Sequence, residues 1–182
     1  SDSENLMFIR HYSVSTRLLP ISKIDHQYTF SSGRTLQFIK TPYAHSGGSF
    51  VTFDPQSGIL FSSDLFGSLG LEWELFLNLK PECMNCVGFA KCPQNRPICP
   101  VNDILNFHKA VMPSGKALRY ALEQMLDIPF TMIAPQHGSI IKNKEIMRYA
   151  FELLATLKGV GIDGIIDDDY VFNLDKIKQR FS

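Results

Sequence analysis

Apolar residues recur along this chain at two different periods, and the alternation between them marks out strands and helices. Thr35 to Ile39, Ser49 to Phe53 and Ile59 to Phe61 are short runs rich in β-forming residues and are predicted as strands. Asp54-Pro55-Gln56-Ser57-Gly58 separates the last two, and its turn-forming residues predict a hairpin. Further on, Leu118, Ala121, Leu122 and Met125 fall at helical spacing, with Pro129 expected to stop that helix before a strand over Thr131 to Ala134. A second helix is predicted from about Lys144 to Lys158. There Ile146, Ala150, Leu153, Leu154 and Leu157 share one face, Asn143 is a candidate N-cap and Gly159 a candidate terminator. The pattern predicts helices packed on a sheet, an α/β (α+β) chain with polar residues in the loops that follow strands. There is no internal repeat at a solenoid period and no low-complexity linker.

Composition narrows the function classes. At 182 residues and 45% hydrophobic content the chain fits one globular domain, for which about 100–200 residues is usual. Its 18 Lys and Arg balance 18 Asp and Glu, and the only basic run is Lys176-Ile177-Lys178-Gln179-Arg180. Binding to nucleic acid or to a membrane surface therefore gains no electrostatic support. No apolar stretch approaches the roughly 20 residues that span a bilayer, and the start lacks a basic-then-apolar signal pattern. A cytoplasmic location is expected.

Three loops carry candidate chemistry. His45 lies in Thr41-Pro42-Tyr43-Ala44-His45-Ser46-Gly47-Gly48-Ser49, Asp64 follows Gly58-Ile59-Leu60-Phe61-Ser62-Ser63, and His137 lies in Ile133-Ala134-Pro135-Gln136-His137-Gly138. Each follows an apolar run and meets small residues, the context of a metal ligand at a strand end. Imidazole and carboxylate suit Zn or Fe, and one Asp with two oxygens can bridge two ions. Gly47 and Gly48 are expected to bring backbone close to the His45 imidazole, and Gly138 to leave room for a metal beside His137. Taken singly, a histidine is more often a surface or core residue; His108, on a helix beside Phe107 and Val111, is read that way, as structural.

A second constellation is Cys83, Cys86, Cys92 and Cys99, all four cysteines of the chain within 17 residues. Four thiolates can hold one Zn or an iron–sulfur cluster, and Cys-x-x-Cys places two sulfurs on one turn. The spacing matches neither a common zinc ribbon nor the short ferredoxin run. A redox-active or adventitious disulfide pair and free structural thiols are the alternatives, the first disfavoured where thiols stay reduced.

The motifs Thr-Pro-x-x-His-Ser-x-Gly-Ser, Gly-x-Leu-Phe-Ser-x-Asp and Ile-Ala-Pro-x-His-Gly occur here in that order. Together they resemble the second half of the metallo-β-lactamase fold, most closely its flavodiiron and oxygen-binding di-iron branch. Phe107-His108-Lys109 through Met112-Pro113-Ser114 to Ala117-Leu118 resemble the helix that precedes the last metal histidine in that branch. The resemblance extends over roughly Asn5 to Lys158. The family's first motif, His-x-Glu-x-Asp, is not present: His11 is followed by Tyr12-Ser13-Val14-Ser15 and His26 by Gln27-Tyr28-Thr29-Phe30. Residues 1–182 are accordingly expected to be a partial metallo-β-lactamase-like domain of a longer protein, the second half of an αββα sandwich, with a Cys-rich insertion at about 80–100.

The resemblance implies a non-haem di-iron protein that binds or reduces O2 or NO. Two Fe, or Zn in their place, would be held in the full-length protein by His45, Asp64 and His137 with the absent motif. The alternative is a binuclear-metal-dependent hydrolase, in which two metals activate a bridging water. Phe50, Phe53, Phe66, Trp73 and Phe76 surround the ligand loops in sequence, as an apolar gas pocket or as ordinary core aromatics. The segment after Gly159, with Asp167-Asp168-Asp169, has no likeness to a flavodoxin domain, which points towards an oxygen-sensing module rather than a reductase. A Cys-held electron relay would return the reading to an oxidoreductase. The redox partner or fused domain is open, and a homodimer through the surface that would meet the absent half is a further expectation.

Overall fold

The computed structural model describes residues 3–12, 16–70, 73–86, 99–166, 169–171 and 173–181. Five strands form one sheet in the order β1 (Gln27–Thr29), β2 (Thr35–Lys40), β3 (Phe50–Asp54), β4 (Ile59–Phe61) and β5 (Met132–Ala134). The first four run as an antiparallel meander, and β5 joins β4 in parallel. A parallel neighbour requires a crossover, supplied by α2 (Pro100–Val111) and α3 (Gly115–Met125). The remaining helices are α1 (Ser3–His11), α4 (Lys144–Ala155) and α5 (Asp175–Phe181). No described helix is long and apolar enough to cross a membrane.

Register assigns each strand residue to a face. Gln37, Phe53, Leu60 and Ile133 lie in one cross-strand row, and Phe38, Thr52, Phe61 and Ala134 in the next. Adjacent rows point to opposite faces. Phe53, Leu60 and Ile133 are buried in one core with Leu105 of α2, Leu118 and Met125 of α3 and Leu154 of α4. On the opposite face Phe61 is 45% exposed. This is one sheet with its helical layer, as the second half of an αββα sandwich requires.

The predicted elements are present with shifted ends. The hairpin falls as expected, its turn held by Asp54, which accepts from the backbone N–H of Gln56, the Ser57 hydroxyl and the Arg34 guanidinium. The helix containing Leu118 ends at Met125, four residues ahead of Pro129. The helix expected to reach Lys158 stops at Ala155, because the Thr156 hydroxyl donates to the carbonyls of Glu152 and Leu153 and competes with continuation. Asn143 is the N-cap, its side-chain oxygen accepting from the N–H of Glu145 and Ile146. β1 has no counterpart among the predicted strands; all three of its residues are exposed, so no alternation betrays it.

Candidate metal centre

β2, β4 and β5 point the same way, since β2 and β4 are both antiparallel to β3 and β5 is parallel to β4. Their C-terminal loops therefore share one end of the sheet, where ligands are commonly held in open α/β folds. Phe61 and Ala134 are register partners, and Asp64 and His137 each follow their partner by three residues. Backbone bonds keep the two loops together: Ser62 N–H donates to Ala134 O at 3.1 Å and Gln136 N–H to Ser63 O at 2.8 Å. His45 arrives from the loop after β2, which is closed by Thr41 N–H to Ser49 O at 3.0 Å.

The three candidate ligands meet. His137 Nε2 lies 3.2 Å from Asp64 Oδ1, and His45 Nε2 lies 3.9 Å from Asp64 Oδ2. Each carboxylate oxygen thus faces a different imidazole. His137 Nδ1 sits 3.0 Å from the Ser68 carbonyl, which can only accept, so Nδ1 carries a proton and Nε2 is turned towards Asp64. Imidazole nitrogens directed at a carboxylate form an ion pair when the rings are protonated and a donor set for a metal ion when they are not. Among the described residues no group of three or more His, Cys, Asp or Glu is spaced to hold an ion by itself. The arrangement is an arc of two imidazoles around the Asp64 carboxylate.

The backbone is strained around this arc. Tyr43, His45, Ser63 and Phe66 all have positive φ, at 61°, 83°, 54° and 66°, a region that non-glycine residues occupy only when held there. The loop carrying Asp64 is held by Ser62 Oγ donating to Leu65 O at 2.6 Å and by Gly67 N–H donating to Asp64 O at 3.0 Å. A third restraint comes from α2. His108 is fully buried, its Nδ1–H donating to Ile104 O at 2.7 Å while Nε2 accepts from Phe66 N–H at 3.0 Å. Burial lowers its pKa to about 4, the Ile104 bond opposing this, so the ring is neutral at physiological pH. Both nitrogens are engaged within the fold, in agreement with the structural reading of this residue.

The glycines act differently from expectation. A Cβ on Gly138, whose φ is 94°, would lie 2.7 Å from Ser68 Oγ, and one on Gly48 would lie 2.6 Å from the Asn5 side chain. Those two glycines admit Ser68 and α1 rather than a metal or the His45 ring. Gly67 is the glycine that abuts a ligand: its Cβ would lie 3.1 Å from His137 Cε1 and 3.2 Å from Nδ1. Nothing in sequence separates Gly67 from an ordinary loop glycine, because the contact arises only when the loops after β4 and β5 converge.

An open cleft of about 830 Å³ fronts the arc, lined among others by His45, Asp64, Phe50, Thr52, Phe61 and Gln136. Of the five aromatics expected around a gas pocket, Phe50 alone lines it. Phe53 and Phe66 are buried in the helical core, Trp73 is 55% exposed, and Phe76 lies beneath the Lys142 ammonium.

Cys83 and Cys86 share a 3-10 turn (Pro81–Asn85 and its cap), and Cys99 is the N-cap of α2. All three are free and partly buried, while Cys92 lies outside the described residues. Tyr149 of α4 donates its hydroxyl to Cys86 O at 2.6 Å. Burial raises the Tyr149 pKa, and the charge of Cys86, Cys83 and Cys99 raises it further.

A model of the ODP family beta lactamase matches residues 1–138. The chain is 26% identical over 111 residues to putative diflavin flavoprotein A 6 of Nostoc sp. (strain PCC 7120), covering 60% of this chain and 16% of that protein. Among solved structures, it resembles the apo chemotaxis sensor ODP from T. denticola, with TM-score 0.68 and 25% identity over 90% of this chain and 60% of that one. A peroxy di-iron form of chemotaxis sensor ODP gives TM-score 0.60 and 27% identity, covering 76% of this chain and 52% of that one. Rubredoxin oxygen:oxidoreductase from Desulfovibrio gigas gives 0.58 at 18% identity, covering 85% of this chain and 36% of that one, a likeness of fold alone. The chain spans between 16% and 60% of the length of these relatives.

Proposed function

The chain belongs to the ODP beta-lactamase family, and on that premise we propose that it is part of a non-haem di-iron protein that binds O2 or NO. His45, Asp64 and His137 are its share of the ligands, and the domain is completed by residues outside this chain. The observation that carries the reading is the Asp64 carboxylate, with one oxygen 3.2 Å from His137 and the other 3.9 Å from His45. That disposition suits a carboxylate bridging two ions, with one histidine on each.

Two ferrous ions would supply the electrons that O2 or NO takes up. The chain's own residues hold and orient. The Ser68 carbonyl keeps the proton on His137 Nδ1, which leaves Nε2 as the donor. The Asp64 loop keeps both carboxylate oxygens at the mouth of the cleft, where a small ligand can enter. The sensing reading is supported by the two chemotaxis-sensor structures, at 25% and 27% identity, and turnover stays the second reading because the diflavin flavoprotein shares 26%.

The test is anaerobic iron loading of the full-length protein, followed by a pulse of O2 or NO and visible spectroscopy. A new absorption band that appears stoichiometrically with iron and is lost in His137→Ala is expected. A Zn-loaded form that hydrolyses esters, beside an iron form that gives no band, would favour the hydrolase.

For the cysteines we propose a separate centre, Zn or iron–sulfur, in a stretch inserted at about 80–100. It is supported by the clustering of all four cysteines within 17 residues and by the Cys-x-x-Cys turn. Protein purified anaerobically should carry one chelatable metal independent of Asp64→Ala, or a brown chromophore bleached by dithionite. Four freely reactive thiols in native, metal-free protein would contradict it.

A further inference from the structure

We propose that Phe107 and His108, consecutive on α2, form a two-sided bracket that positions the metal-facing side chains, His108 by fixing the Asp64 loop and Phe107 by fixing the His137 ring. The proposal rests on the reading of His45, Asp64 and His137 as ligands. Neighbouring residues on a helix project about 100° apart, so two adjacent side chains can grip two different loops. The Ile104 carbonyl takes the proton of His108 Nδ1, which leaves Nε2 no role except acceptor, and Phe66 N–H fills it at 3.0 Å. Phe66 is itself at φ 66°, so its amide is pinned where the turn is least relaxed. Phe66 is two residues beyond Asp64, and the bond sets the direction in which the Asp64 carboxylate leaves the turn.

Phe107 completes the bracket. Its ring meets the His137 ring edge-on, centroids 4.8 Å apart and planes at 87°. The Ser68 carbonyl holds Nδ1–H at 3.0 Å, so Nε2 stays towards Asp64. Neither residue is a ligand; both act through the residues they hold.

The test uses the full-length protein with Cys83, Cys86, Cys92 and Cys99 replaced by Ser, so that cobalt(II), the probe, reports on the histidine–aspartate site alone through the paramagnetic shifts of the His45 and His137 ring protons. The melting temperature of each metal-free variant is measured alongside. His108→Leu removes the acceptor and is expected to weaken cobalt binding by about 10- to 100-fold, the usual cost of losing a partner that orients a ligand. His108→Gln offers an amide oxygen to Phe66 N–H and is expected to restore most of that affinity, a rescue that a purely packing role would not produce. Phe107→Leu keeps His108 and is expected to leave the Phe66 amide protected from exchange while broadening the His137 ring signals; it decides the matter if His108→Leu does not fold. Equal cobalt affinity in all variants, His108→Gln as weak as His108→Leu, or an unchanged His137 ring in Phe107→Leu overturns the bracket. Asp64→Ala separates the two ideas. If it binds cobalt like the wild type, the ligand reading falls and the bracket with it; if it loses cobalt while His108→Leu keeps it, the bracket alone falls.

Discussion

A Cβ on Gly67 would lie 3.0 Å from the Asp64 carbonyl oxygen and 3.1 Å from the His137 ring. Gly67→Ala therefore pushes the ring or the turn by a few tenths of an ångström, and overpacking costs up to about 1–3 kcal/mol. The expected outcome is a modest drop in melting temperature with a larger loss of metal affinity; equal affinity would show that the ring tolerates the push. His108 makes a pH prediction. Its folded pKa of about 4 lies below the unfolded value near 6.5, so between those limits the unfolded chain binds more protons. Its contribution to stability is therefore complete above pH 6.5 and is lost as pH falls towards 4, on the order of 3 kcal/mol in all. Urea unfolding at pH 7 and at pH 4.5 measures this, and His108→Gln should flatten the slope. Asp54, held at about 2 chiefly by its bond from Arg34 and then by that from Ser57, titrates below this window, while burial raises the Asp103 pKa, so the difference between wild type and His108→Gln isolates the histidine. At this scale the three residues that meet at the sheet end were legible as candidates, because each lies in a motif that can be read locally. Gly67 and Phe107 were not, since their contacts join residues 70 and 30 positions apart in the chain, as read from their numbers and that of His137.

Helices and the hairpin were legible where burial is one-sided. α4 shows its stripe of Ile146, Ala150 and Leu154 because one face meets the core and the other meets solvent. β1 was illegible for the opposite reason, being exposed on every residue. Element ends follow from single side chains, as with Thr156, which closes α4 ahead of the predicted Lys158. Asn143 satisfies two N–H groups at the start of α4. Asn143→Ala should cost about 1 kcal/mol, a fall of roughly 2–4 °C in melting temperature for a chain of this size, while Asn143→Asp should be nearly neutral. Equal melting temperatures for all three proteins would mean that water replaces the cap without loss.

Across the molecule, three short motifs become one site because β2, β4 and β5 run in the same direction and empty their loops at one sheet end. The motifs could be recognised in sequence; their meeting depends on strand order and register, which no local window contains. The choice between gas-pocket and core aromatics was open in sequence for a related reason. Aromatics adjacent in sequence to the ligand loops alternate between sheet faces, so Phe50 lines the cleft while Phe53 enters the core. Three donors shared between two ions leave each ion fewer protein ligands than the three or four usual in stable sites. This chain by itself should therefore bind metal weakly. A tight two-metal isotherm for the 182-residue chain with its four cysteines replaced by Ser would refute that.

The central claim is that Asp64 joins two metals, and iron stoichiometry tests it most directly. Full-length protein is loaded anaerobically, freed of loose iron, and analysed for iron per chain beside Asp64→Ala. Two irons in the wild type at the histidine–aspartate site, and loss of at least one in the variant, is the predicted result. The same iron content in both would contradict the bridging role and the reading of this end of the sheet as a di-iron centre.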